Sequence, residues 1–292
     1  MKIKNWLGPL LLSLSASIWG GMFVVVKIVV VHVPPVELVW LRYLIAIIVL
    51  ILISLIKKEK WTVNKTDLKL IFLIGLIGNT ISIVTQETGT WLSSAQTGAV
   101  ITSATPTFMI LFAWWLLKEK LTRIKVLSVI MATSGVICIV GIHLTGHNVL
   151  LGVLSLIVAA LTWALMSVLI KKLSGSYTAL QVTIMSASVA IICLSPVVIA
   201  DHQVLRRIDF FNPIIILCLL YLGVVSTALA FVMWNRGLHL VSAGKSGLFF
   251  LLQPIVGTLL GWLLLNEKLT WGFLVGSCLI IGSVWVAIRF ET

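Results

Sequence analysis

The chain has 292 residues, of which 60% are hydrophobic and 10% are charged, and its mean hydropathy is +1.16. Soluble domains are about 45–50% apolar and about 25% charged, so this composition excludes an ordinary soluble domain and indicates an integral membrane protein. The net charge of +12 would suit a nucleic-acid partner, but the basic residues lie in short loops, where they orient a membrane protein. We therefore expect the chain to lie in a lipid bilayer and to bind no nucleic acid.

Ten apolar runs follow one another along the chain, each long enough to cross about 30 Å of hydrocarbon at about 1.5 Å per residue. We expect spans at residues 8–31, 34–56, 68–91, 94–117, 123–141, 149–170, 177–199, 213–235, 243–265 and 270–289. The first run exceeds a signal-peptide core and is followed by further spans, so we expect it to remain uncleaved. The sequence thus predicts an all-α integral membrane protein with ten transmembrane helices.

The basic residues are distributed unevenly between alternate loops. If the N-terminus lies inside, fifteen loop and terminal Lys and Arg residues lie on the inner side, and only Arg206, Arg207 and Lys268 lie outside. Cytoplasmic loops of membrane proteins carry such an excess of Lys and Arg. Both termini are therefore predicted to be cytoplasmic.

A long stretch of the first half is repeated in the second half. Residues 86–122 recur 148 positions later as residues 234–270. The matching positions include Gly89 with Gly237, Pro106 with Pro254, Trp114 with Trp262, and Glu119-Lys120-Leu121-Thr122 with Glu267-Lys268-Leu269-Thr270. Such a repeat predicts two copies of one structural unit, over residues 1–146 and 147–292. Because each copy holds five spans, the second must enter the membrane from the opposite face, and inverted repeats are typical of secondary transporters.

Residues spread over nearly the whole chain resemble one known family. They are Trp19-Gly20, Phe23, Lys27, Pro35, Arg42, Ser94-Ala95, Pro106 and Glu119-Lys120-Leu121 in the first half, and Trp163, Trp234, Ala243, Pro254 and Glu267-Lys268-Leu269 in the second. This set resembles the EamA branch of the drug/metabolite transporter superfamily. The resemblance implies a ten-helix bundle around a central cavity that moves small metabolites, amino acids or xenobiotics across a bacterial inner membrane. It favours export and implies no particular substrate.

Aromatic and polar residues within spans one, three, four, six, eight and nine are the candidates to line this cavity. Small-molecule sites typically combine apolar and aromatic walls with a few polar groups. The candidates are Trp19, Phe23, Gln86, Glu87, Thr105, Thr107, Trp163, Trp234, Asn235 and Gln253. Trp19 and Trp163 occupy matching positions in the two repeats, so we expect their rings to face each other across the substrate path. Packing of the tryptophans in the protein core is the alternative.

Glu87 is an acidic residue inside a predicted span. A charge at the bilayer centre costs about 2.5–3.5 kcal/mol on insertion scales, so such a group usually faces a partner or a cavity. Either Glu87 forms an ion pair with Arg42 or Lys27, or it takes up a proton or pairs with a cationic substrate group. Asn235 stands at the matching position in the second repeat, so coupling through a carboxylate would be one-sided. If Lys27 does not pair with Glu87, its long side chain is expected to extend along the helix so that its amine reaches the headgroup region.

Pro106 and Pro254 fall in the middle of predicted spans four and nine. A proline inside a helix removes a backbone hydrogen bond and kinks the helix. The two prolines are therefore either hinges beside the cavity or static kinks. Glu119 and Glu267 lie at span ends, where each is expected to cap the next helix or to pair with the lysine that follows it.

The chain carries no sequence pattern typical of an enzyme. It has no HExxH zinc helix, no GxSxG nucleophile turn and no GxxxxGK[ST] phosphate loop. These patterns are typical of hydrolases and of nucleotide-driven pumps. His143 and His147 have metal-like spacing but lack a third ligand, so no cofactor or metal is predicted. We expect a secondary exporter that works by alternating access, with proton or exchange coupling. The alternatives are a membrane scaffold or sensor that transports nothing, and an importer.

Overall fold

The computed structural model describes residues 4–61, 63–118, 122–141, 147–173, 177–240, 249–250 and 252–289. Within these ranges every regular element is helical, as the apolar runs predict. In hydrocarbon a backbone must satisfy its own hydrogen bonds, and a helix does so within a single segment.

The helices follow the predicted spans closely, with two spans containing a π-helical stretch and one divided by a turn. The first half contains α1 (Lys4–Val29), α2 (Pro35–Ile56), a 3-10 turn (Lys65–Asp67), α3 (Leu68–Ile74), π1 (Gly75–Ser82), α4 (Ile83–Leu92), α5 (Ala95–Thr102), α6 (Thr105–Leu117) and α7 (Arg123–Gly141). The second half contains α8 (His147–Ile170), α9 (Ala179–Ala200), α10 (His202–Arg207), α11 (Pro213–Leu220), π2 (Tyr221–Leu229), α12 (Ala230–Leu240), α13 (Leu252–Leu265) and α14 (Trp271–Arg289).

Seven helical segments of the described residues are long and apolar enough to cross a membrane. They are Leu7–Val29, Pro35–Ile56, Lys65–Leu92, Ala95–Leu117, Asn148–Ile170, Ala179–Ala200 and Pro213–Trp234. The other three predicted spans correspond in position to the helices α7, α13 and α14. The chain is therefore a multi-pass membrane protein.

Spans three and eight each contain a π-helical segment at the same place in the repeat. A glycine at or near the start of each segment packs closely against a helix of the opposite half. A Cβ atom on Gly75 would lie 2.5 Å from Val189 of α9, and one on Gly223 would lie 2.6 Å from Ile45 of α2. Glycine is needed at both positions because real Cβ atoms do not approach other atoms so closely. π-helical turns are rare and are frequent at functional sites, and both segments lie near the centre of their spans.

Span four is divided by a turn at Ser103 and Ala104, between the helices α5 and α6. Pro106 lies in the first turn of α6, where a missing N–H leaves no helical hydrogen bond unmade. Pro254 is the third residue of α13 as described, but residue 251 lies outside the described residues. The expectation of a kink inside a continuous helix is therefore wrong for Pro106, which lies at the start of α6, and stays untested for Pro254. Whether the two prolines act as hinges stays a prediction.

The packing of the helices interleaves the two halves. Helix α1 of the first half packs against α12 and α13 of the second, while α8 of the second packs against α4 and α6 of the first. Helix α2 packs against π2, and α9 packs against π1. Helices α2 and α9 also pack against each other, as do α7 and α14. These contacts thus form pairs in which the two halves exchange roles.

Candidate functional site

A cavity of about 50 Å³ lies inside the bundle, between helices of both halves. Its described lining residues are Trp19 and Met22 of α1, Arg42 of α2, Ile83 and Gln86 of α4, Thr102 and Thr105 at the break in span four, Ala159, Ala160 and Trp163 of α8, Phe231 of α12, Phe250, and Gln253 of α13. Pockets for drug-sized ligands measure about 300–1,000 Å³. The cavity must therefore widen to hold a metabolite of that size.

Aromatic rings form one wall of the cavity. The ring of Trp19 lies 5.6 Å from that of Phe231, 5.2 Å from that of Trp234 and 6.0 Å from that of Phe250, measured between ring centroids. Phe231 also lies 5.9 Å from Trp163. These separations are typical of stabilising aromatic pairs. Trp19 and Trp163 thus line one cavity with Phe231 between them, while Trp234 packs behind Trp19.

The π-helical segment π2 positions two residues of the cavity. The indole N–H of Trp19 donates to the backbone oxygen of Ser226 at 3.0 Å. Arg42 donates from Nε to the hydroxyl of Thr227 at 2.7 Å and from Nη2 to the hydroxyl of Ser226 at 3.3 Å. Because an indole N–H and a guanidinium need partners when buried, these bonds fix both side chains.

Arg42 and Glu87 form a buried ion pair, with 2.8 Å between Nη1 of Arg42 and Oε1 of Glu87. Arg42 is 2% exposed and Glu87 is 0% exposed. The other carboxylate oxygen of Glu87 has no hydrogen-bond partner. Of the two alternatives drawn from the sequence, the structure thus contains the ion pair, and its partner is Arg42 rather than Lys27. Arg42 lines the cavity, whereas Glu87 lies behind it.

Two glutamines provide the polar wall of the cavity. Nε2 of Gln253 donates to the hydroxyl of Thr102 at 3.3 Å, and that hydroxyl donates in turn to the backbone oxygen of Gly98 at 2.7 Å. Oε1 of Gln253 and Nε2 of Gln86 have no hydrogen-bond partner. A buried polar atom without a partner costs about 1–3 kcal/mol, so a molecule that reached both atoms when the cavity widens would gain two hydrogen bonds.

The turn between α4 and α5 is held by charged residues of two other segments. The amine of Lys27 donates to the backbone oxygens of Trp91 at 2.6 Å and Ser93 at 2.7 Å, and to that of Thr90 at 3.2 Å. A cation is stabilised at a helix C-terminus because the last carbonyls lack helical partners. Lys27 therefore binds the end of α4, and the interpretation that its amine reaches the headgroup region stays a prediction.

Glu267 binds the start of the helix α5 on the other side of this turn. Its carboxylate accepts hydrogen bonds from the backbone N–H groups of Ala95 at 2.7 Å and Gln96 at 2.9 Å. A carboxylate at a helix N-terminus is favourable for charge and for hydrogen bonding. The expected capping role is therefore present, but the capped helix belongs to the first half and is not the next helix in the chain. Glu119 lies outside the described residues.

The structure brings five of the ten candidate residues to the cavity wall: Trp19, Gln86, Thr105, Trp163 and Gln253. Phe23 is fully buried in the apolar core around α1, and Thr107 is buried with its hydroxyl 3.4 Å from that of Ser283. Asn235 belongs to α12, but its side chain lies outside the described residues. The described part of the chain contains no group of three His, Cys, Asp or Glu side chains that could hold a metal.

Sequence reasoning missed Met22, Arg42, Thr102, Phe231 and Phe250 as cavity residues. Arg42 carried a usable signal, because it is a charged residue within a span. Phe231 precedes Trp234 by three positions, which places both on one face of a helix. The others are ordinary residues of apolar segments, and only the packing of the helices brings them to the cavity.

Comparison with known proteins gives one result for the whole chain. A model of the EamA-like transporter family matches residues 6–141 and 150–289. An uncharacterized transporter of Clostridium kluyveri is 28% identical over 261 residues, which are 86% of this chain and 82% of that protein. A protein of Salmonella typhimurium named "Probable amino-acid metabolite efflux pump" is 28% identical over 289 residues, covering 94% of this chain and 92% of that protein. A solved crystal structure shares the fold, with a TM-score of 0.65, 18% identity and 97% coverage of each chain.

Proposed function

The chain belongs to the EamA-like transporter family, and we propose that it exports small metabolites, amino acids or drug-like solutes across the bacterial inner membrane by alternating access. Its relatives are named as transporters, so the chain is a membrane transporter and not an enzyme, as the sequence predicted. One observation supports the proposal most directly: a cavity between the two halves is lined by two glutamines, each of which has a buried polar atom without a partner.

The proposed architecture has ten membrane spans in two inverted five-helix repeats, residues 1–146 and 147–292. The exchange pattern of helix contacts supports it, because two copies related by a two-fold axis must contact each other reciprocally. The matching π-helical segments, which start near Gly75 and Gly223, support it as well.

Contacts between loops support the proposed ten-span topology, while the cytoplasmic placement of both termini rests on the excess of Lys and Arg in the inner loops. Glu267, from the connection between the last two spans, contacts Ala95 in the connection between spans three and four. In the ten-span topology both connections are external. Tyr177 exchanges hydrogen bonds with the backbone of Asn64, and the ten-span topology places both of their loops inside. A topology that lacked one of spans three to nine would place at least one of these pairs on opposite sides of the membrane.

The proposed substrate site comprises the cavity residues Trp19, Gln86, Thr105, Trp163 and Gln253, with Glu87 acting through Arg42. Alternating access requires the ends of the cavity to open in turn. The Lys27 and Glu267 contacts hold the turn between α4 and α5, so we assign closure of the external end to them. The break between α5 and α6 beside Pro106 is the corresponding place for a hinge, as discontinuous helices line the sites of many transporters.

The direction of transport is proposed to be export, in line with the efflux pump among the relatives. Coupling to a proton or exchange of one solute for another would supply the driving force. Import is tested by the same experiments in right-side-out vesicles. A scaffold or sensor remains the alternative of a different class, and it predicts no solute flux at all.

Counterflow in proteoliposomes is the experiment that tests the proposal. Vesicles containing the full chain are preloaded with an unlabelled amino acid, purine or cationic drug, and the entry of the matching tracer is followed. We expect transient accumulation of tracer with one solute class, and its loss in Trp163→Ala. If no solute of the panel gives counterflow, although the protein is shown to be folded, the scaffold or sensor is favoured.

A further inference from the structure

Two glutamines from opposite halves line the cavity, and they carry complementary polar atoms that have no partner. Nε2 of Gln86, a hydrogen-bond donor, and Oε1 of Gln253, an acceptor, are both buried without a partner. The side chains are 9% and 5% exposed, respectively, and both line the cavity. Since buried polar groups in native proteins are nearly always hydrogen-bonded, a bound molecule with one acceptor and one donor would complete the site.

The charge of the cavity argues against an ionic ligand. Arg42 is the charged residue among the described lining residues, and Glu87 already neutralises it at 2.8 Å. An organic cation would meet the guanidinium of Arg42 without a free carboxylate in reach. An anion would have to compete with Glu87 for that guanidinium. Burial of a charge without its own partner is unfavourable, so the cavity favours an uncharged ligand.

The aromatic wall determines the shape of the ligand. The rings of Trp19, Trp163 and Phe231 all line the space, and flat apolar faces of this kind pack well against another flat ring. The small volume, about 50 Å³, favours a small ligand.

We propose that the transported solute is a small, flat, uncharged ring that carries a carbonyl group and an N–H group side by side, as in a lactam or an aromatic carboxamide. This inference rests on the proposed transport function. The carbonyl oxygen accepts a hydrogen bond from Nε2 of Gln86, and the N–H donates to Oε1 of Gln253. The ring lies against Trp19 and Trp163.

Binding to the purified full chain tests the inference, with quenching of tryptophan fluorescence as the readout. The uncharged probes with both groups are uracil, hypoxanthine and nicotinamide. The matched controls are 1,3-dimethyluracil, which keeps the ring but lacks both N–H groups, orotate as an anion, and benzyltrimethylammonium as a cation. We expect at least one uncharged probe to bind, and uracil to bind about tenfold or more tightly than 1,3-dimethyluracil, because an unmatched buried polar group discriminates strongly.

Variants of the two glutamines link binding to the proposed contacts. Gln86→Leu and Gln253→Leu should each weaken uracil binding about tenfold. Gln253→Leu should leave the binding of 1,3-dimethyluracil unchanged, because this probe has no N–H to donate, and this shows that the variant is folded. Gln86→Leu should weaken the binding of both probes, because both carry a carbonyl group. Gln203→Leu, on the exposed surface of α10, should change neither. Equal binding of the two uracils, or no binding by any of the three uncharged probes, would overturn the inference.

Counterflow with the same probes separates this inference from the proposed function. Counterflow of uracil supports both. If orotate or benzyltrimethylammonium gives counterflow and uracil does not, the chain is a transporter but its substrate is not an uncharged ring. Binding of uracil without counterflow of any probe supports the site and counts against transport.

Discussion

Arg42 and Glu87 are joined by a 2.8 Å ion pair in which both side chains are almost completely buried, yet only Arg42 reaches the cavity. The carboxylate therefore acts on the site through the guanidinium, which it holds in place and neutralises. This relationship links an acidic residue of span three to the wall of a proposed substrate site.

Removal of one partner of the buried ion pair should lower the stability of the folded protein. Glu87→Gln leaves Arg42 buried without its counter-charge, and removal of one partner of a buried pair costs about 3–5 kcal/mol. We expect a clear fall in the midpoint of thermal unfolding in detergent. The double variant Arg42→Met with Glu87→Leu should recover part of this loss, because it removes both charges. Equal stability of Glu87→Gln and the natural chain would contradict a structural pair.

The pH dependence of transport distinguishes a structural Glu87 from a coupling residue. The described cavity wall contains Arg42 but not Glu87, so we expect the pH profile of counterflow to keep its shape in Glu87→Gln, at a lower rate. The measurement is counterflow between pH 5 and pH 9 in both proteins. A profile that becomes flat in Glu87→Gln would instead show that this carboxyl group takes up the coupled proton.

The two tryptophans that line the cavity should be needed for transport but not for insertion. Trp19→Ala and Trp163→Ala each remove a ring from the cavity wall, and we expect at least about a tenfold loss of counterflow, as for the loss of a large aromatic contact at a binding site. Trp115→Ala is the matched control, because Trp115 is 65% exposed on the outer surface of α6. Membrane yields should be similar for all three. If both cavity variants transport at the rate of the unsubstituted protein, these rings are not part of the site.

The cap on α5 should keep the external end of the cavity closed. Glu267→Gln weakens the bonds to the N–H groups of Ala95 and Gln96, and loss of a helix cap costs about 0.5–2 kcal/mol. We expect a thiol reagent added from outside to label a cysteine placed at Ser94 faster in this variant, in a background without the natural cysteines. Lys268→Gln, a change at the neighbouring exposed residue, should leave labelling unchanged. Equal labelling in all proteins would show that Glu267 holds no gate.

The glycine at the start of π1 should not tolerate a side chain. A Cβ atom on Gly75 would lie 2.5 Å from Val189 and 2.8 Å from the backbone oxygen of Ser186, and overpacking of this kind costs about 1–3 kcal/mol. Gly75→Ala should lower the thermal midpoint. Gly282→Ala is the control, because its nearest neighbour is the flexible end of Met131 at 3.2 Å. If the two variants unfold alike, the close contact between π1 and α9 is absent.

The sequence determined the class, the helices and the duplication of this protein. Apolar runs of about twenty residues can only be satisfied as helices in hydrocarbon, and the described helices lie where these runs predict them. The family also followed from dispersed residues such as Trp19, Pro106 and Trp163, and it is confirmed by the family model. Trp19 and Trp163 both line the cavity, while the expectation that their rings face each other across the substrate path stays a prediction.

Tertiary structure alone decided the partners of the charged and polar residues. The sequence left Glu87 between Arg42 and Lys27, which both lie in the first two spans, and could not choose because helix rotation and depth are set by packing. It missed Phe231 on the cavity wall, and it expected Pro106 inside a continuous helix rather than at the start of one. It also could not see that Glu267 caps a helix of the opposite half. Contacts between distant segments depend on how the two halves interleave, and a local pattern of residues does not encode that arrangement.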